Sequence, residues 1–383
     1  MVSAINFFDK KRKWSIYKDQ ILDYYLTPYI DKILHTMKPL VIIDCFAGKG
    51  FFSDGSEGSP IIVAKQISRH LDKNVKGYFI EKKYYNDLKN NMQNFKNCNP
   101  LQGTFEDNLK SIISLSSLQN LFLYIDPYGV KSLNMSQFKR LKERNFNSLE
   151  MLMNFNSFGF LREGCRLLKY EGLFDDPDID TGYETEENDN ISVWNSIADG
   201  NYWKDLITEY KNKKIDMCQC EELFVSSYVA QLKGIFKYVV NIPIKTSEKN
   251  IPKYRLIFGT NHKDGLLLMT DNMHRAWNQI KEQLFQKGQL LLFDVGKVNE
   301  IEVMQNVMAI IPDDKNPLLK DVLVTLIQKY GIQLSLSEYK KIIKSLIGKE
   351  LDVIYIPPKT ATGKPVKSMD FDKYDIYLQR NKI

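Results

Sequence analysis

The stretch Asp44-Cys45-Phe46-Ala47-Gly48-Lys49-Gly50 places an acidic residue and two glycines at the end of an apolar, branched run, PLVIIDCF at 39–46. Glycine in such a turn lets a ligand come close to the backbone where a Cβ would stand in the way. Asp44, Phe46, Ala47, Gly48 and Gly50 are therefore candidate cofactor contacts. A lone Gly-x-Gly arises easily by chance in a chain with 20 glycines; its weight comes from the strand before it and the small-residue loop GSEGSP at 55–60 after it. Glu81 closes the next apolar run, GYFIE at 77–81, where a carboxylate can accept both ribose hydroxyls of a nucleoside cofactor. It follows Asp44 by 37 residues, more than the ~20 of the dinucleotide fingerprint, and the Gly/Ser loop accounts for the insertion. The alternative is an ordinary solvated glutamate at a strand end. Asp107, after LQGTFED, could face an adenine ring.

A second constellation, Asp126-Pro127-Tyr128-Gly129, ends the run LFLYIDP at 121–127. Open α/β sheets bind ligands at the carboxyl edge of their strands. An Asp-Pro-aromatic element there can accept a hydrogen bond from an amino group and stack a planar base on the ring, as sites for extruded bases do. The competing reading is a buried turn, with Pro127 fixing φ and Tyr128 in the core. Asn154 and Asn156 close the next run and could be supporting donors. Trp14 and Lys18, four residues apart on a helix, could cover a cofactor mouth; packing explains Trp14 equally well.

These residues need a scaffold. Four apolar runs (39–46, 77–81, 121–127 and LEMLMNF at 149–155) alternate with helical stretches at 60–72, 83–95, 105–116 and 134–145. Such alternation indicates a parallel sheet with right-handed crossovers, a Rossmann-like α/β fold. Residues 14–37 read as two short helices separated at Pro28. The acidic stretch DDPDIDTGYETEENDN at 175–190 reads as a surface loop, and helical pattern resumes at 193–235. YRLIFGTNHKDGLLLMT at 254–270 reads as a strand, a turn and a second strand, a terminal antiparallel hairpin for the sheet. The domain then spans 38–310, with a helical and acidic insertion at about 160–245, preceded by packing helices over 1–37. A proline-bearing linker is expected at 311–317. Residues 318–383 follow as two amphipathic helices (318–330, 336–347) and two strands (351–357, 374–379), a small winged-helix-like domain.

The charge is unevenly spread. Residues 315–383 hold 13 Lys and Arg against 7 Asp and Glu, whereas residues 1–314 hold 40 of each. The whole net charge of +6 thus sits in the last segment, which points to a polyanion such as DNA or RNA there. Lys359, Lys364 and Lys367, on the expected wing, suit phosphate contacts; a solvated hairpin is the plainer account. Five scattered cysteines and four histidines at no ligand spacing give no reason to expect a metal. No apolar run approaches the ~20 residues of a membrane helix, and no secretory leader is visible, so a reduced, cytoplasmic protein is expected.

The ordered set DCFAGKG, GSEGSP, YFIE, YIDPYG and NFNSFG, with the early W-x-x-x-K and the late YRLIFGTNH, resembles the three-Cys-motif partner protein (TcmP) family over most of residues 14–275. That family resembles class I methyltransferases dependent on S-adenosylmethionine (SAM), of the nucleic-acid-modifying kind. The resemblance implies a Rossmann-like methyltransferase domain and SAM as cofactor. It assigns the methionine part of SAM to Asp44, Gly48 and Gly50, the ribose to Glu81, and the acceptor to Asp126, Pro127 and Tyr128. It also implies a protein partner carrying three cysteines. Nucleic-acid amino-methyltransferases usually carry D/N-P-P-Y/F, and DPYG is one proline short. A non-catalytic nucleic-acid- or nucleotide-binding subunit of a partner complex, in defence against mobile elements, is therefore a second expectation. A small-molecule methyltransferase is a third.

Overall fold

The computed structural model describes residues 13–127, 129–170, 172–174, 190–244, 252, 254–286 and 298–381. The chain divides at Asn261/His262 into two compact units. The expected acidic loop at 175–190 falls, apart from Asn190, outside the described residues.

The first unit is built on a seven-stranded sheet. Its strands are β1 (Leu40–Asp44), β2 (Val75–Glu81), β3 (Cys98–Gln102), β4 (Asn120–Ile125), β5 (Ser148–Phe155), β6 (Tyr238–Ile244) and β7 (Tyr254–Thr260). They lie in the order β3-β2-β1-β4-β5-β7-β6, the first five parallel and β7 antiparallel to both its neighbours. The fold is Rossmann-like, a mainly parallel α/β sheet with a terminal antiparallel hairpin, with the direction of winding reversing between β1 and β4.

Two faces explain the apolar runs. Val41, Ile43, Leu121, Leu123, Ile125, Met151, Met153 and Ile257 join one buried core with the helices on that side. These are α4 (Phe105–Ile113), α5 (Met135–Glu143), α6 (Ser157–Leu167), α7 (Ile191–Ala198), α8 (Tyr202–Lys211) and α9 (Met217–Leu232). There Phe155 stacks on Tyr228 with ring centroids 4.3 Å apart. The alternate positions face the other way, as the two-residue period of a strand requires. On that side Phe122 and Phe258 meet Tyr25 and Tyr29 of α1 (Lys13–Leu34), with centroids 5.3 to 5.8 Å apart. Beside α1 lies α2 (Ser59–Ser68), whose Gln66 donates to Asp23 at 2.6 Å.

Three expectations are corrected. Residues 14–37 hold one helix rather than two: α1 (Lys13–Leu34) runs through Pro28. The proline leaves only the Tyr24 carbonyl without its helical donor, and Tyr24 is 40% exposed to water. The residues around the proline (Ile21, Leu22, Tyr25, Leu26, Tyr29, Ile30) are all buried and hold the helix on the sheet. Secondly, the terminal hairpin pairs β7 with β6; Leu266 to Thr270 belong to α10 (Lys263–Gln286), not to a strand. Leu and Met favour a helix, and the β-branched Val239 and Val240 mark the true partner. Thirdly, β3 (Cys98–Gln102) is a strand where none was expected, while α3 (Tyr85–Met92) before it falls within the helix expected at 83–95.

The second unit contains α10, α11 (Glu300–Ile310), α12 (Leu319–Tyr330), α13 (Leu336–Leu346) and an antiparallel pair, β8 (Leu351–Ile356) with β9 (Asp375–Arg380). A capping box, Ser335 with Glu338, starts α13. Its core includes Val303, Val307, Leu319, Val322, Leu323, Ile327, Ile343 and Leu378. Here the last two helices and two strands lie close to where the sequence placed them, while α10 and α11, ahead of the 311–317 segment, belong to the same unit.

Candidate active site

The chain leaves β1 at Asp44 while its neighbours still hold it. Cys45 N–H donates to the Tyr124 carbonyl at 2.9 Å, and Ala47 N–H to the Ile80 carbonyl at 3.0 Å. The turn then reverses through Gly48 (φ +66°) and Gly50 (φ +96°), a backbone region that favours glycine. A Cβ at Gly50 would meet Ile61 Cδ1 at 3.3 Å and Asn91 Cβ at 3.4 Å, so the loop lies tight against α2 and α3. Asn91 also donates to the Lys49 carbonyl at 2.8 Å. Phe46 is half-buried and Ala47 buried.

Asp44 is fully buried. It accepts from Ser59 Oγ at 2.6 Å and from Phe46 N–H at 3.2 Å, so it braces the loop from beneath. Burial pushes its carboxyl up to about 7; the two hydrogen bonds oppose that, and the charges of Asp126 and Asp19 add to it.

Glu81 stands at the tip of β2, half-buried, facing the loop. Oε2 accepts from Gly48 N–H at 2.8 Å, and Oε1 from Lys83 N–H at 2.7 Å and Tyr84 N–H at 2.9 Å. A carboxylate offers about four lone-pair positions, so one remains for a ribose hydroxyl. Asp107 is exposed and serves α4: it completes a capping box with Thr104, accepting from Thr104 N–H at 2.8 Å. Those hydrogen bonds hold its carboxyl below the usual range.

Asp126 follows β4 directly, two residues beyond Tyr124, which pairs with Asp44 in the sheet. Its Oδ2 accepts from Lys18 Nζ at 2.6 Å and its Oδ1 from Asn154 Nδ2 at 2.8 Å. The Lys18 side chain is 5% exposed and that of Asp126 25%. Asp126 therefore keeps an open edge while two neighbours fix its plane. Tyr124, one pleat earlier on the same face, is buried, and among the described residues its hydroxyl has no hydrogen-bond partner; it lies in the field of Asp126, Asp19 and Asp44. Pro127 is half-buried. Tyr128 and the side chain of Trp14 lie outside the described residues. Asn156 caps α6 instead, accepting from Gly159 N–H at 2.7 Å.

No protein-family model and no curated protein matches the chain. Among solved structures it is similar to protein LPL1258 from Legionella pneumophila str. Philadelphia 1, with a TM-score of 0.38 and 12% identity over 65% of this chain and 85% of that one. It is also similar to a spermidine synthase in complex with the transition-state analogue AdoDATO, with a TM-score of 0.34 and 8% identity over 70% and 65% of the two chains. A third similarity is to the plantazolicin methyltransferase BpumL, in complex with a triazolic desmethylPZN analog and SAH, with a TM-score of 0.29 and 10% identity over 64% and 84%.

The fold thus brings the Gly48–Gly50 turn, Glu81 and Asp126 to one edge of the sheet. Lys359, Lys364 and Lys367 are exposed and belong to the second unit. Ser59, Asp19 and Tyr124 were not singled out from the sequence. Ser59 had a signal, since it precedes the proline that opens α2; the contact of Lys18 with Asp126 had none, because 108 residues separate them. Among the described residues no helix is long and apolar enough to cross a membrane.

Proposed function

We propose that this protein transfers a methyl group from SAM to an amino nitrogen of a nucleic-acid base. The observation that carries the reading is Asp126: an ionisable group with an open edge, fixed from both sides at the carboxyl end of β4, beside the glycine turn that follows β1. The donor set fits the cofactor. Gly48 and Gly50 keep the turn free of side chains, Glu81 keeps an acceptor position for a ribose hydroxyl, and Asp44 holds the turn in shape. Bound SAM would supply an electrophilic methyl, so the protein's task is mostly to position the acceptor. Asp126 would accept a hydrogen bond from the acceptor amine and stabilise the charge that develops on it. Tyr128 would stack on the base, and the basic C-terminal unit, read as winged-helix-like, would hold the phosphate backbone. The motif set also supports kinship with the TcmP proteins, a three-cysteine protein partner and a cytoplasmic setting.

A second reading, a non-catalytic binding subunit, draws on the same atoms. Both oxygens of Asp126 are engaged, and so are both of Glu81. Calorimetry and labelled-methyl transfer separate the two readings. The parent chain should bind SAM and a Gly48→Trp variant should not, because the turn would be filled. Transfer of label to DNA or RNA should vanish in Asp126→Ala while SAM still binds. A parent chain that binds no SAM removes the enzyme reading; one that binds SAM and methylates nothing leaves the binding subunit.

A further inference from the structure

The proposed mechanism leaves Lys18 unused, although it is the cation closest to the acceptor carboxylate. Its ammonium is nearly buried, lies 2.6 Å from Asp126 Oδ2 and sits 5.7 Å from the centre of the Tyr254 ring. Burying a lysine is costly unless it is paired, and here its partner is the proposed acceptor group itself. This pair is not the sole anchor of α1. The helix is already held by the Tyr25 and Tyr29 rings on Phe122 and Phe258, by Tyr25 Oη on Glu150, and by Asp23 on Gln66.

We propose that Lys18 determines acceptor specificity: by occupying Oδ2 of Asp126 it fits the site to a neutral amino group, such as that of a base, and excludes cationic amines. This inference rests on the methyltransferase reading and narrows it. The geometry gives two reasons. Lys18 and Asn154 each take one lone-pair position of Asp126, so about two of its four remain on the exposed edge for an uncharged N–H donor. An ammonium on that edge would stand beside another ammonium, and like charges at such distances repel strongly away from bulk water. Without Lys18, Oδ2 of Asp126 would be free to accept from a cationic amine. Lys18 is thus a positioning residue acting through Asp126.

The test uses two cofactor analogues and needs no turnover. S-adenosylhomocysteine has no group at the methyl position; sinefungin carries a C–NH3+ there, aimed at the acceptor. Calorimetry on the full chain gives their affinity ratio. In Lys18→Met, sinefungin should gain about tenfold or more over S-adenosylhomocysteine, in line with a freed charge-assisted hydrogen bond. Lys18→Arg should keep the parent ratio. Thermal melting checks that each variant folds, and Lys18→Gln replaces the methionine variant if that one does not. An unchanged ratio in Lys18→Met overturns the inference, as does an equal weakening of both analogues, which would make Lys18 a contact of the shared part of the cofactor. A parent chain that binds neither analogue shows instead that the methyltransferase reading has failed, and the inference falls with it.

Discussion

Two buried carboxyls set how the first unit should respond to pH. Asp44 and Glu150 are fully buried, and burial pushes each up to about 7. An acid whose pKa is higher in the folded chain than in the unfolded one stabilises the fold most at low pH. That contribution is complete below the unfolded value, is lost as pH rises, and is gone above the folded value. The first unit should therefore lose stability between about pH 4 and pH 7, by on the order of 3 kcal/mol for each group. Glu150→Gln should remove its share: denaturant unfolding across that range should show a flatter profile for the variant than for the parent. Parallel profiles would mean that Glu150 does not carry a raised pKa. Gly50 tests the loop at the same scale. Gly50→Ala places a Cβ at φ +96° and 3.3 Å from Ile61, so a loss of roughly 1–3 kcal/mol in stability is expected, with weaker SAM binding by calorimetry.

At the scale of elements, α1 is the piece that joins the site to the sheet. Tyr25 Oη donates to Glu150 Oε2 at 2.5 Å, and Thr260 Oγ1 donates to the other oxygen at 2.9 Å. Tyr25→Phe keeps the ring contacts and removes one donor to a buried carboxyl, so a loss of about 1–3 kcal/mol is expected. Hydrogen exchange should show faster opening in α1 than in β4; equal change throughout would mean that α1 and the sheet open as one body. Legibility in the sequence follows the same physics. β1, β4 and β5 are covered on both faces, so nearly every position is buried, most are apolar and the runs stand out. β3 is an edge strand, partly exposed, with Pro100 and polar residues, and its pattern is weak. Four apolar residues at 266–269 suit a strand or a helix equally, and only the buried positions further on, Met273 and Ala276, reveal the helix. The glycine turn, Glu81 and Asp126 were legible because each closes a strand and its role is local. The clasp of Lys18 on Asp126 depends on how α1 lies across the sheet, which no local pattern encodes.

For the molecule as a whole, the charge distribution bears on what it binds. The excess of six positive charges lies in residues 315–383, all within the second unit. Between β8 and β9 the chain makes a small turn. Thr360 N–H donates to the Lys364 carbonyl at 2.8 Å, with Gly363 at φ +79°. Lys359, Lys364 and the nearby Lys367 are exposed, and among the described residues none of their ammonium groups is in an ion pair. Three solvated, unpaired cations on one turn can reach phosphates without giving up an internal partner. Each phosphate neutralised releases condensed counterions and adds about 0.9 to the slope of log affinity against log salt on duplex DNA, and about 0.7 on a single strand. Replacing all three lysines by alanine should therefore lower that slope by about 2 to 3. Binding of SAM should stay as it is, because the cofactor residues lie in the first unit. Filter binding of duplex and single-stranded probes across a salt series measures the slope. A slope that stays at the parent value would move the polyanion contact away from this turn, to the other basic residues of the second unit or off it altogether.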